Sequence, residues 1–237
     1  MSLVTKLKNK INEKINSNDK RKIIENFLSL SFIRAADFLL PLIVLPYLIS
    51  TLGIEKFGLT AFAAALVNYF LNITQYGFSL SAVRDLSRNQ ESHKMIEDIF
   101  NVVISTKFIL LLMSAIIFGI LIIIVPSFYE YHLLYIYSFG LVIGDVLFPK
   151  WFFQGIEQMR FITLINIFFK LTFLILVFTF IKEESDFVYV PLLQSLGAIT
   201  GGIYSLYIIH KRYKIKLRIV SSNEIKLQLK SSFSYFI

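Results

Sequence analysis

Three kinds of polar side chain interrupt the long apolar stretches of this sequence, and each suits a different chemistry. The first is cationic: Arg34, Lys107 and Lys170 stand among aliphatic and aromatic neighbours. A charge at membrane depth costs about 2.5–3.5 kcal/mol on insertion scales, so it pairs internally or faces a cavity where an anion can meet it. Lys170 lies ten residues into its apolar run, too deep for its stem to reach either interface. Thr163, Asn166 and Lys170 follow at spacings of three and four, one polar stripe that either lines a cavity or bonds a neighbouring helix. Lys107 sits about 12 Å into its run at 1.5 Å per residue, where snorkelling and a cavity role compete. Arg34 and Asp37, three apart, share a face and either neutralise each other or form an anion contact tuned by the carboxylate. The second kind is the amide stripe Asn68, Asn72 and Gln75, whose donors and acceptors suit hydroxyl-rich ligands such as sugars and equally suit helix-to-helix bonding. The third is Asp145, near the end of its run, either wet or paired with Lys107 or Lys170. Asp37 or Asp145 could also couple a proton or sodium ion.

Nothing in this set makes a catalytic constellation. The chain has no cysteine, and His93, His132 and His210 match no metal-ligand spacing, so no metal, cofactor or enzymatic role is expected.

The elements that position these residues follow from composition. Hydrophobic residues make up 56% of the 237 and aromatic ones 16%, while 17% are charged against roughly 25% in soluble domains. The net charge of +8 sits in short runs between apolar segments rather than on one polar face, which argues against nucleic acid. Six segments reach the ~20 residues that a helix needs to cross about 30 Å of hydrocarbon: 27–52, 59–83, 99–125, 131–148, 161–181 and 187–209. They are apolar throughout rather than alternating, so the expected fold is an all-α polytopic bundle of six transmembrane helices and not a β-barrel.

Nineteen of the 24 Lys and Arg residues flank one side of these crossings. Lys56 and Lys182 flank the other, and the remaining three lie inside spans. The positive-inside rule then places both termini in the cytoplasm. Residues 1–25 are basic, lack a cleavable signal, and carry Leu3, Leu7, Ile11 and Ile15 four apart, as in an amphipathic helix on an anionic leaflet or a solvated lead-in. Pro41, Pro46, Gly77, Gly140, Gly144, Pro191 and Gly197 to Gly202 are potential breakers inside spans, or packing sites. Residues 211–237 read as a basic linker, a helix cap near Ser222 and the cut-short start of a seventh apolar segment, or as a tail resting at the interface.

Between two spans lies Pro149-Lys-Trp-Phe-Phe-Gln-Gly-Ile-Glu-Gln-Met159, in which Trp151, Gln154, Gly155, Glu157 and Met159 resemble the P-x-W-x-F-Q-G-x-E-x-M signature of bacterial Wzx-type polysaccharide flippases, within the MATE-like superfamily. Leu52-Gly-Ile-Glu-Lys-Phe-Gly58 and Gln75-Tyr-Gly77 through Arg84-Asp-Leu-Ser87 resemble two further blocks of that family. The resemblance implies a two-lobed flippase for undecaprenyl-diphosphate-linked oligosaccharides in the bacterial inner membrane, serving O-antigen or capsule synthesis. This chain would be its N-terminal lobe, residues 26–210, incomplete for transport by itself. Membrane lipids are implied as surroundings, and a polysaccharide polymerase and chain-length regulator as candidate partners. Cationic cavity residues would hold the diphosphate, with Arg34, Lys107 and Lys170 placed there by depth. The motif aromatics would anchor at the interface or shape the entrance. A cation-coupled efflux carrier of related fold and a non-transporting scaffold of a polysaccharide assembly complex are the alternatives.

Overall fold

The computed structural model describes the backbone of residues 17–236 and the side chains of residues 38–233 together with Ser31 and Ala35. Residues 1–16 of the basic lead-in, and the side chains of Arg34 and Asp37, lie outside the described residues.

Every regular element among the described residues is a helix. In chain order they are α1 (Ser17–Gln75), α2 (Phe78–Arg88), α3 (His93–Ile124), α4 (Pro126–Glu130), α5 (His132–Leu147), α6 (Lys150–Gly155) and α7 (Met159–Phe180). A short 3₁₀ turn (Glu184–Val188), α8 (Tyr189–Tyr213) and α9 (Ser222–Phe236) complete the chain.

Five helical runs are long and apolar enough to cross a membrane. The first of them, Phe38–Arg88, extends for 51 residues, far beyond one bilayer thickness. It contains the backbone break at Gly53 (φ 72°, ψ 164°), a conformation open to glycine because it has no Cβ. Leu45 and Leu48 before the break and Phe57, Ala61 and Ala64 after it line one small cavity of about 170 Å³, so the chain folds back on itself there. The break falls between the first two expected segments, 27–52 and 59–83, which both lie within α1. A second break falls at Gly77 (φ 72°), where α1 ends and the amphipathic α2 begins.

The other suspected breakers do not break. Helix α1 continues through Pro41 and Pro46. Pro191 occupies the first turn of α8, where a missing N–H leaves no intrahelical bond unmade. Gly140 and Gly144 allow the most extensive helix contact of the fold, α5 against α8. A Cβ on Gly140 would come 2.6 Å from Ser195 Cβ, one on Gly144 would strike Ala198, and one on Gly202 would lie 2.5 Å from Leu147 Cβ. Small residues at this crossing let the backbones approach, and Ser195 Oγ and Ser205 Oγ donate across it to the Tyr137 and Leu147 carbonyls. Gly197 and Gly201 face Phe169 of α7 instead.

Two apolar clusters divide the bundle lengthwise. One joins α1, α3, α5 and the ends of α7 and the 3₁₀ turn, through Leu48, Leu52, Phe70, Phe118, Tyr135, Phe139 and Ile181. There Tyr47 Oη donates to the Ile181 carbonyl at 2.7 Å, tying the Gly53 bend to the end of α7. The other cluster joins α2, α6 and the adjoining ends of α3, α7 and α8, through Phe78, Leu86, Phe100, Trp151, Phe152, Phe153 and Ile209. The extended segment after α8 is held at this second end by the buried Asn101, whose Nδ2 donates to Lys216 O and whose Oδ1 accepts from Arg218 N, both at 2.9 Å. Helix α9 then packs on α2 and α3, and the hydroxyls of Ser81 and Ser232 meet at 2.9 Å in a buried contact.

Candidate functional site

Helices α1, α7 and α8, with Leu141 of α5, enclose a cavity of about 420 Å³. Its walls are mostly apolar: Leu40, Val44 and Leu48 from α1, and Phe169, Phe173 and Leu174 from α7. Asn166 and Lys170 of α7 and Gln194 of α8 supply the described polar lining. Spacing of four on α7 puts the amide and the ammonium on one face, and that face turns inward because its neighbours at Phe169 and Phe173 seek burial. A cation and two amides on mostly apolar walls can receive an anion and the hydroxyls attached to it.

The stripe expected on α7 is only partly realised. Thr163 is buried and donates to the Met159 carbonyl at 3.2 Å, away from the cavity lining. Gln194 was not singled out from sequence, although it is an amide within an apolar run and meets the same criterion as Asn166.

Lys107 is not in that cavity. It is 3% exposed, and its Nζ lies 3.3 Å from Asp145 Oδ2 and 3.5 Å from the Asp145 carbonyl oxygen. The expectation of a lysine in the same chamber as Lys170 is thus corrected, because α3 presents Lys107 to the end of α5. Lys150 approaches the other carboxylate oxygen, Nζ to Oδ1 at 3.2 Å. One carboxylate therefore bridges two ammonium groups in a pocket of about 120 Å³ that Gln75, Trp151 and Gln154 also line.

The amide stripe of α1 divides as well. Gln75 reaches this second pocket, whereas the Asn68 and Asn72 side chains lie exposed on the outer surface and find no hydrogen-bond partner among the described residues.

The motif loop is more deeply placed than its basic flanks suggest. Its Trp151, Phe152 and Phe153 form the short helix α6 and are 4%, 0% and 0% exposed. They pack on Phe100 at ring-centroid distances of 5.8 Å for Trp151 and 5.4 Å for Phe152. These aromatics are core and not interface anchors, because α2, α3 and the tail segment close over them. Gly155 touches α2 and its carbonyl accepts from Gln90 Nε2 at 2.9 Å. The exposed Glu157 takes a left-handed conformation (φ 57°) that turns the chain into α7, which begins at Met159.

The model of the polysaccharide biosynthesis protein family matches residues 23–237. The chain belongs to that family. It is 31% identical over 220 residues to a protein of Escherichia coli (strain K12) named "Putative O-antigen transporter". It is likewise 31% identical over 215 residues to a protein of Shigella dysenteriae with the same name. These matches cover 92% and 90% of this chain and 53% of each relative, so the chain spans about half the length of the curated relatives it matches. No solved structure matches it. The packing above shows what the motif positions do: Trp151 and Gly155 build one end of the bundle, and Gln154 reaches the two-lysine pocket.

Proposed function

We propose that the full-length protein is a flippase that carries lipid-linked oligosaccharides, built on a polyprenyl diphosphate such as undecaprenyl diphosphate, across the bacterial inner membrane for O-antigen, capsule or related surface polymers. This chain supplies one lobe of it, residues 26–210, with a linker and the start of further helices in 211–237. The observation that carries the reading is Lys170 with Asn166 and Gln194 in a large apolar cavity: the cation suits a diphosphate, and the amides suit sugar hydroxyls. Family membership and the name of its relatives support it. Alternating access needs a second half moving against this one around the cavity. Both termini face the cytoplasm in this reading, and the protein acts as a transporter with no catalytic step, beside a polymerase and a chain-length regulator.

The test is complementation. A protein of the relatives' full length containing this chain is expressed in a strain deleted for its surface-polysaccharide flippase, with polymer at the cell surface as readout. The wild type restores polymer, Lys170→Ala loses it at unchanged protein level, and Lys170→Arg recovers part. Restoration by Lys170→Ala would show a scaffold rather than a carrier, and altered drug sensitivity without polymer would favour efflux.

A further inference from the structure

The pocket formed by Lys107, Asp145 and Lys150 carries a net positive charge. Lys107 is 3% exposed and shares the Asp145 carboxylate with Lys150, so two ammonium groups are set against one carboxylate. Lys107 takes Oδ2 at 3.3 Å and Lys150 takes Oδ1 at 3.2 Å, so neither oxygen is left to balance a second charge. A residual charge beside a buried ammonium is costly, and an arriving anion would relieve it. Trp151 also lines this pocket and is 4% exposed, and its indole Nε1 finds no hydrogen-bond partner among the described residues. An indole N–H can only donate, so the unmet group calls for an acceptor. Gln75 and Gln154 add amides that can donate to the same acceptor.

We propose that this pocket is a binding site for a phosphate group, distinct from the Lys170 cavity, in which Asp145 holds the two lysines until a phosphate displaces it. A phosphate accepts from several donors at once and brings the negative charge that the trio lacks. The phosphate belongs to a lipid headgroup or to a soluble phosphate compound. The proposal uses the flippase reading only as a source of such lipids, and its test measures binding without transport, so either can fail alone.

Trp151 is the single tryptophan of the chain, so its fluorescence reports on this pocket without labelling. The chain is held in dodecyl maltoside micelles, which carry no phosphate, and titrated with inorganic pyrophosphate, and separately with phosphatidic acid mixed into the micelles. A saturable fluorescence change with pyrophosphate identifies a site open to soluble phosphates, and a change with phosphatidic acid alone identifies a headgroup site. No change in either arm overturns the proposal. Loss of one charge-assisted partner weakens binding by roughly tenfold or more, which is expected of Lys150→Gln, a half-exposed position that folding tolerates. Wild-type affinity in Lys150→Gln would overturn the site. Asp145→Asn removes the competing carboxylate and is expected to bind several-fold tighter. If it binds as weakly as Lys150→Gln, displacement is wrong and Asp145 only orders the lysines.

Discussion

Gly155 and Leu86 stand so close that a Cβ on the glycine would lie 2.6 Å from the Leu86 Cβ and 2.9 Å from its Cδ1. The contact joins α6 to α2, and both helices bury aromatic residues in the same cluster. A side chain at 155 must therefore push two packed helices apart. Gly155→Val should cost about 1–3 kcal/mol or more by overpacking. Gly119→Ala, where nothing lies within 4 Å, should be neutral or stabilising on helix propensity. Thermal unfolding of the two variants in the same detergent checks the contrast. Equal midpoints would show that the α2–α6 contact yields easily.

Much of this arrangement is legible in the sequence, for identifiable reasons. Crossing helices follow from apolar length alone, and the Gly53 and Gly77 breaks fall within two of the blocks that carry the family resemblance. Asn166 and Lys170 share a wall because helix periodicity is short-range geometry. Lys150 beside Asp145 was not legible: four residues, Pro149 among them, separate them, and they meet through a turn in which Lys150 N donates to the Phe148 carbonyl at 2.8 Å. Burial of Trp151 to Phe153 was misjudged because basic flanks mark the side of the membrane and say nothing of what folds over the loop. Pro41 and Pro46 looked disruptive because each removes one helical bond, yet the α1 backbone keeps its remaining ladder through both.

Lys107 and Asp145 form a pair whose side chains are 4% and 12% exposed. Breaking a buried pair typically costs about 3–5 kcal/mol, since the remaining charge stays desolvated. Asp145→Leu strands two lysines and should be the most destabilised variant. Lys107→Met leaves Asp145 with Lys150 and should lose less. The double variant Lys107→Met/Asp145→Leu should be more stable than Asp145→Leu alone. Thermal unfolding of the three orders them, and strictly additive losses would deny the coupling.

All basic connections of the described bundle gather at the α6 end, whereas Lys56 and Lys182 lie at the Gly53 end, with Lys56 Nζ 5.3 Å from the Tyr131 and Phe187 ring centres. The natural absence of cysteine makes the orientation directly measurable. Lys182→Cys should react with a membrane-impermeant maleimide added outside intact spheroplasts. Glu157→Cys, exposed at the opposite end, should react only after the membrane is opened. The reverse pattern would invert the assigned topology.

Asn101 is fully buried and clamps the tail backbone by two 2.9 Å bonds. Asn101→Ala leaves the Lys216 carbonyl and the Arg218 amide without this partner, at about 0.5–1.5 kcal/mol per lost hydrogen bond. Amide exchange at Arg218 should accelerate, and the 214–221 segment should become easier to proteolyse. Asn101→Asp keeps the acceptor for Arg218 N and loses the donor to Lys216 O, so Arg218 should stay protected. Exchange unchanged in Asn101→Ala would mean that α9 alone holds the tail.

Helix α9 begins with a reciprocal cap in which Ser221 N and Oγ donate to Glu224 Oε2 at 2.9 Å each, while Glu224 N donates back to Ser221 Oγ at 3.3 Å. The Ser221 backbone N–H, then the Arg218 guanidinium at 2.9 Å, hold the Glu224 pKa down from 4.5 to about 2. A carboxyl depressed by folding stabilises the folded form fully above its unfolded value. That contribution fades as pH falls from about 4.5 toward about 2, because the unfolded state takes up the proton first. Protection of the Ser221 amide should therefore drop across this window, while Glu224→Gln should be less protected at neutral pH and flat through it. A wild-type profile as flat as that of Glu224→Gln would show that water, not this cap, satisfies the start of α9.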